Sequence, residues 1–173
     1  MTHPVFWLTG LPGAGKTTLA TALVQKFQQA NIPVVHLDGD QLRQVFQSHD
    51  YSRDGRLALA MQYARLSLLL QQQQLPVIVS TVSLFHQVQQ WNRTNIIGYT
   101  EVFLATPLAV LQQRDQKNLY SIQDETAIAH TVSRGIAAEF PQQPDFTFEL
   151  SQYSELQPSA ELLWQYYLSK KDS

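Results

Sequence analysis

The residues with the most evident chemical potential are Gly10-Leu11-Pro12-Gly13-Ala14-Gly15-Lys16-Thr17-Thr18, of which the first eight fit the pattern G-x-x-x-x-G-K-[ST]. They follow a β-branched and aromatic run, Val5 to Thr9, and open a stretch, Lys16 to Gln29, with helical apolar spacing at Leu19, Leu23 and Phe27. In that setting glycines let backbone N–H groups converge on phosphate oxygens, and the helix N-terminus adds partial positive charge. Lys16 is expected to reach the β- and γ-phosphates of ATP, and the Thr17 hydroxyl to ligate Mg²⁺. A second group is Asp38-Gly39-Asp40, directly after a strand-like run, with Arg43 three residues beyond Asp40. Paired carboxylates beside a phosphate loop can serve Mg²⁺ and take the proton of an attacking hydroxyl. Either could instead cap a helix, although capping does not account for the arginine.

These groups need a scaffold that brings loop ends together. Val34 to Leu37, Val77 to Ser80, Glu101 to Leu104 and Phe146 to Leu150 read as further strands. Helical spacing appears over Arg56 to Gln73, Phe85 to Trp91, Pro107 to Arg114 and Ala160 to Leu168. Short apolar strands alternating with helices predict an α/β fold with a mainly parallel five-stranded sheet covered on both faces. In such sheets the site lies beyond the carboxyl ends of the strands, which directs attention to Thr9–Thr17, Asp38–Arg43 and Ser80–His86. The chain reads as one domain, 1–173, in which weak periodicity around 114–144 suggests a mobile lid.

Composition removes several classes of function. The 173 residues carry 12 Lys+Arg against 14 Asp+Glu, a formal charge of -2, with 15% charged and 44% apolar residues. Charged residues average about 25% in globular chains, so glutamine supplies much of the polarity here. A near-neutral balance argues against nucleic acid as a partner. The absence of cysteine excludes thiol nucleophiles, disulfides and zinc–thiolate sites. No apolar run approaches the ~20 residues of a membrane span, and the N-terminus lacks a signal-peptide pattern; a cytoplasmic location is expected. A phosphate loop alone leaves a small-molecule kinase, a GTP switch or a mechanical ATPase. There is no Asn-Lys-x-Asp segment to read guanine, and the length leaves little room for a mechanical module, so a kinase is favoured.

Further segments, taken in order, resemble the adenylylsulfate (APS) kinases, P-loop kinases of three-layer α/β fold that phosphorylate the 3′-hydroxyl of adenylyl sulfate. They are Trp7-Leu8-Thr9-Gly10-Leu11, Leu37-Asp38-Gly39-Asp40-Gln41-Leu42-Arg43, Tyr51-Ser52-Arg53-Asp54-Gly55-Arg56, Val82-Ser83-Leu84-Phe85, Glu101-Val102-Phe103 with Thr106-Pro107-Leu108, and Gln113-Arg114-Asp115-Gln116-Lys117-Asn118-Leu119-Tyr120. The resemblance implies Asp40 as the base, Arg43 and Arg56 on the acceptor's anionic group, and Tyr51 stacking on its base. It places Asp38, Val82, Lys117 and Leu119 at the acceptor. Arg114, matched to the lid together with Lys117, serves ATP. Ser83 falls at the family's phosphoserine position, although in-line transfer needs no such intermediate. Because family members are often dimers, a second copy of the chain joins the small nucleotide as an expected partner.

The acceptor half departs from the family. An asparagine and paired arginines usually follow the position of Arg56, whereas here Leu59 and Met61-Gln62 occupy those places. Pro-Phe-Arg becomes Leu84-Phe85-His86, and a Gly-Ile-Asp-Asp-Pro-type segment becomes Gly135-Ile136-Ala137-Ala138-Glu139. Ser83-Leu84-Phe85 with Trp91-Asn92-Arg93 and Arg114-Asp115-Gln116-Lys117 resembles a branch linked to bacterial surface polysaccharides, some of whose members phosphorylate cytidine diphosphoramidate; the 3′-hydroxyl of adenylyl sulfate is the expected acceptor, and cytidine diphosphoramidate the alternative. A non-catalytic nucleotide-binding protein is the alternative of another class. His36, Trp7, Trp164, Tyr166 and Tyr167 are expected to be structural.

Overall fold

The computed structural model describes residues 3–114 and 136–171. Strand β1 (Val5–Gly10) is buried along its whole length and is followed by α1 (Lys16–Gln29), β2 (Val35–Asp38), α2 (Gly39–Val45) and α3 (Arg53–Gln72). Then come β3 (Val77–Ser80), α4 (His86–Asn95), β4 (Tyr99–Leu104), α5 (Leu108–Gln113), β5 (Phe146–Phe148) and, after one 3₁₀ turn, α6 (Leu156–Lys171). The sheet order is β2-β3-β1-β4-β5 and every pairing is parallel. All strands therefore end on the same edge, where the phosphate loop, Asp38 and Ser80 meet.

Continuous apolar strands are expected where both sheet faces are covered. Alternate residues of β1 serve the two cores: Phe6 and Leu8 pack with Leu19, Leu23 and Phe27 of α1 and with α6, whereas Val5 and Trp7 pack under α3 and α4. Trp7 is a sheet-core residue, as expected. Trp164 and Tyr167 close on Phe27 at ring-centroid distances of 5.1 and 4.6 Å, and Tyr166 packs on Phe6 and Phe146.

Several boundaries differ from the sequence expectation for local reasons. α3 begins at Arg53 rather than Arg56 because the Ser52 hydroxyl accepts from the Gly55 amide at 3.1 Å, an N-cap the apolar spacing does not register. α6 begins at Leu156 rather than Ala160; Pro158 sits in its first turn, where a missing amide costs no helical bond. The short α2 has no apolar periodicity of its own and is set by its cap, Asp38. β4 starts at Tyr99 and carries a buried carboxylate, Glu101, met by the Tyr99 hydroxyl at 3.0 Å and Arg93 at 2.9 Å. Burial raises the Glu101 pKa, against the pull of those hydrogen bonds. Arg93 also reaches Asp145 at 3.3 Å, so it ties α4 to the entry of β5. Most of the proposed lid, 114–144, lies outside the described residues.

Candidate active site

The phosphate loop owes its shape to two glycines in particular. A Cβ on Gly10 would stand 2.7 Å from the Leu104 carbonyl oxygen, so only glycine lets β1 pass β4 at this point. Gly15 caps α1 at φ 96°, a conformation that side chains disfavour. Lys16 is nearly buried and its Nζ donates to the carbonyls of Gly10 and Leu11 at 3.0 and 2.8 Å, which holds the ammonium across the loop. Ala14 packs into the core and its carbonyl accepts from Thr106 at 3.1 Å, anchoring the loop from below.

The Thr17 hydroxyl donates to Asp38 Oδ2 at 2.8 Å, and Ser80 donates to the same oxygen at 2.9 Å. Asp38 Oδ1 accepts from the amides of Asp40 and Gln41 at 3.0 and 3.3 Å. Both readings of Asp38 therefore hold: it caps α2 and it faces the phosphate loop. Burial alone would raise its pKa, but the bonds from Thr17, Ser80 and the two amides outweigh that and hold the carboxyl below its ordinary value. One hydroxyl and one carboxylate, with room for phosphate and water oxygens, is a donor set suited to Mg²⁺, which is bound through few protein ligands. Behind them, His36 is half-buried in β2 with Nε2 2.9 Å from Ser80 Oγ, consistent with a structural place.

A cleft of about 600 Å³ opens at the strand ends and gathers most of the expected site. Pro12, Gly13, Gly15, Lys16, Thr17, Thr18 and Arg114 line it, as do Asp40, Arg43, Tyr51, Arg56, Val82 and Ser83, with Asp38 joining the phosphate loop to α2. Gly10, Leu11 and Ala14 support the loop from outside the lining. Arg114 donates to the Ser151 carbonyl at 2.9 Å. Arg43 and Arg56 lie over the Tyr51 ring at 4.7 and 5.6 Å, and Arg56 Nε donates to the Tyr51 carbonyl at 2.9 Å. The ring expected to meet an acceptor base thus lies against both cations expected to meet its anionic group. Ser83 is buried at φ 20°, its hydroxyl 2.8 Å from that of Thr81, while the Val82 carbonyl accepts from Thr9 at 2.6 Å. Lys117 and Leu119 lie outside the described residues.

The cleft also contains residues that the sequence reading did not assign to it. Tyr63 lines it and donates to the Gly39 carbonyl at 3.1 Å; burial pushes its hydroxyl pKa up to about 12. Tyr63 shares the apolar spacing of the Arg56 to Gln73 helix, which by itself does not distinguish a cleft residue from a core one. Leu111, Leu150 and Leu156 form an apolar wall beside the loop; Leu59, Leu84 and Ile136–Ala138, which the sequence had set apart as departures of the acceptor half, form another at the acceptor end. Only folding brings these scattered residues together. His49 and His86 do not line the cleft.

Residues 2–149 match the family model for adenylylsulphate kinase. The chain belongs to the adenylylsulphate kinase family. It is 34% identical over 159 residues to the cytidine diphosphoramidate kinase of Campylobacter jejuni, covering 92% of this chain and 93% of that one. It is also 34% identical over 149 residues to an adenylyl-sulfate kinase of Synechococcus, covering 86% and 85%. The APS kinase CysC of Mycobacterium tuberculosis, solved in complex with AMPPNP and APS, superposes with a TM-score of 0.81 at 26% identity over 97% of this chain and 98% of that one. The protein is therefore a P-loop nucleotide kinase, a phosphotransferase with a hydroxyl acceptor. Among the described residues no helix is long and apolar enough to cross a membrane.

Proposed function

We propose that this chain transfers the γ-phosphoryl group of ATP to a ribose hydroxyl of a small nucleotide, and that this nucleotide is a cytidine diphosphoramidate-type molecule rather than adenylyl sulfate. The observation that carries the choice is the apolar acceptor wall. Leu59, Ala137 and Ala138 line the cleft where an asparagine and an acidic pair are usual in APS kinases. A pocket built around hydrogen-bonding groups rejects ligands that leave those groups unpaired, and removing the groups removes that selection. The extended match to the Campylobacter jejuni kinase supports the same choice. Adenylyl sulfate stays as the second reading, supported by the family match and by the CysC complex.

In this reading Lys16 meets the charge developing on the transferred phosphoryl, with Arg114 beside it. Asp40, on the first turn of α2 and facing the cleft, takes the proton from the attacking hydroxyl. Arg43 and Arg56 hold the acceptor's anionic tail, a task suited to planar guanidinium groups. Thr17 and Asp38 would hold Mg²⁺, which when bound neutralises charge on the phosphates. Ser83 lines the path without forming a covalent intermediate. Such a reaction fits a cytoplasmic enzyme of surface-polysaccharide synthesis.

The test is ADP release measured in parallel with cytidine diphosphoramidate and adenylyl sulfate. At least about a ten-fold higher kcat/KM is expected for the cytidine compound. The opposite preference returns the chain to APS kinase activity, and turnover of neither overturns the nucleotide-kinase assignment at this site.

A further inference from the structure

The acceptor wall is held by a carboxylate that does not itself face the cleft. Ile136, Ala137 and Ala138 line the cleft, and Glu139 follows them directly. Its carboxylate accepts from Arg53 Nη2 at 2.6 Å and from the His86 backbone amide at 2.7 Å, joining the N-terminal turns of α3 and α4. Its own amide donates to the Leu84 carbonyl at 3.0 Å, and its carbonyl accepts from Gln89 at 3.0 Å. The His86 ring adds a contact to the Phe140 carbonyl at 2.9 Å. Charge-assisted bonds from Arg53 and a helix-terminal amide to one carboxylate are stronger than neutral ones. Although burial would raise the Glu139 pKa, these partners hold it below its usual value.

We propose that Glu139 is a positioning residue for the acceptor: it latches the 136–138 wall onto the starts of α3 and α4, and so sets the width of the acceptor end of the cleft. The geometry gives the latch its selectivity. Arg53 lies between Tyr51 and Arg56 in sequence, and Leu84 adjoins Ser83, so Glu139 ties together the three segments that meet the acceptor, its carboxylate holding the starts of α3 and α4 and its backbone amide the Leu84 carbonyl. None of its partners belongs to the phosphate loop. Losing the latch therefore disturbs acceptor binding while leaving the ATP end in place, and small misplacements of a bound reactant are costly.

This inference rests on the acceptor-end reading above, so its test has two readouts. In Glu139→Ala and Arg53→Met, the KM for the acceptor is expected to rise about ten-fold while the KM for ATP stays within about two-fold. Glu139→Gln, which can still accept from the His86 amide, falls between them and wild type. Independently, hydrogen exchange at residues 136–140 is expected to speed up in Glu139→Ala with no change in the phosphate loop. An unchanged acceptor KM, or a parallel rise in both KM values, overturns the latch even if the nucleotide assignment stands. If wild type turns over no nucleotide, the assignment fails, and the latch is then judged on exchange alone: unchanged exchange at 136–140 overturns it.

Discussion

The two ends of the cleft are built in different ways. The phosphate end is one continuous segment whose working atoms are largely backbone amides, fixed by Gly10, Gly15 and the Lys16 bonds to the loop carbonyls. The acceptor end is assembled from side chains of α2, α3, the loop after β3 and residues 136–138, held together by Tyr51, Arg43, Arg56 and Glu139. A backbone cradle tolerates few sequences, because its geometry depends on glycine conformations. A side-chain wall can exchange polar for apolar groups with the fold intact, so substrate choice can drift at one end while the donor chemistry stays fixed at the other.

The sharpest break of this comparison is Lys16→Ala. It should lower kcat by about 10³-fold or more, as expected for removing charge stabilisation at the transferred group. Melting temperature should stay close to wild type, which separates loss of chemistry from loss of fold. Asp40→Asn comes next, with a fall in kcat of about 10²- to 10⁴-fold and little change in ATP affinity by calorimetry. Equal losses in ATP affinity and kcat would mean that Asp40 belongs to the phosphate end.

Leu59→Asn tests the drift directly. Returning a polar group to the acceptor wall should shift the kcat/KM ratio between adenylyl sulfate and cytidine diphosphoramidate toward the former by about ten-fold; an unmoved ratio would show that specificity is read elsewhere. The smallest effect concerns Asp38. Its carboxyl titrates lower in the folded chain than the unfolded value of about 3.9, so its contribution to stability is present above that pH and drains away as pH falls through the folded value. The gap in urea midpoint between wild type and Asp38→Asn should therefore be widest near neutral pH and narrow below about pH 4. A gap that widens on acidification would contradict the hydrogen-bond account.

The phosphate loop, the Asp38-Gly39-Asp40 group and the alternating elements were legible because each is a local pattern: a glycine spacing, a cap, or a period of two or 3.6 residues. Helix starts at Arg53 and Leu156 were missed where a cap or a tolerated proline decided the boundary without altering apolar periodicity. Tyr63, Leu111, Leu150 and Leu156 were not assigned to the pocket because residues in apolar spacing give the same signal in a core as in a cleft. The departures at Leu59 and 137–138 could be seen in the sequence, but not that they share one wall.

The sequence by itself determined a parallel α/β kinase with a phosphate loop, because backbone geometry and strand burial are written in neighbouring residues. Tertiary structure alone decided that Thr17 and Ser80 converge on one oxygen of Asp38, that two arginines stack on Tyr51, and that Glu139 spans α3 and α4. The Asp38 and Glu139 contacts join residues 21 to 86 positions apart. Such pairings have no local signature, and exist only once the sheet has aligned the strand ends.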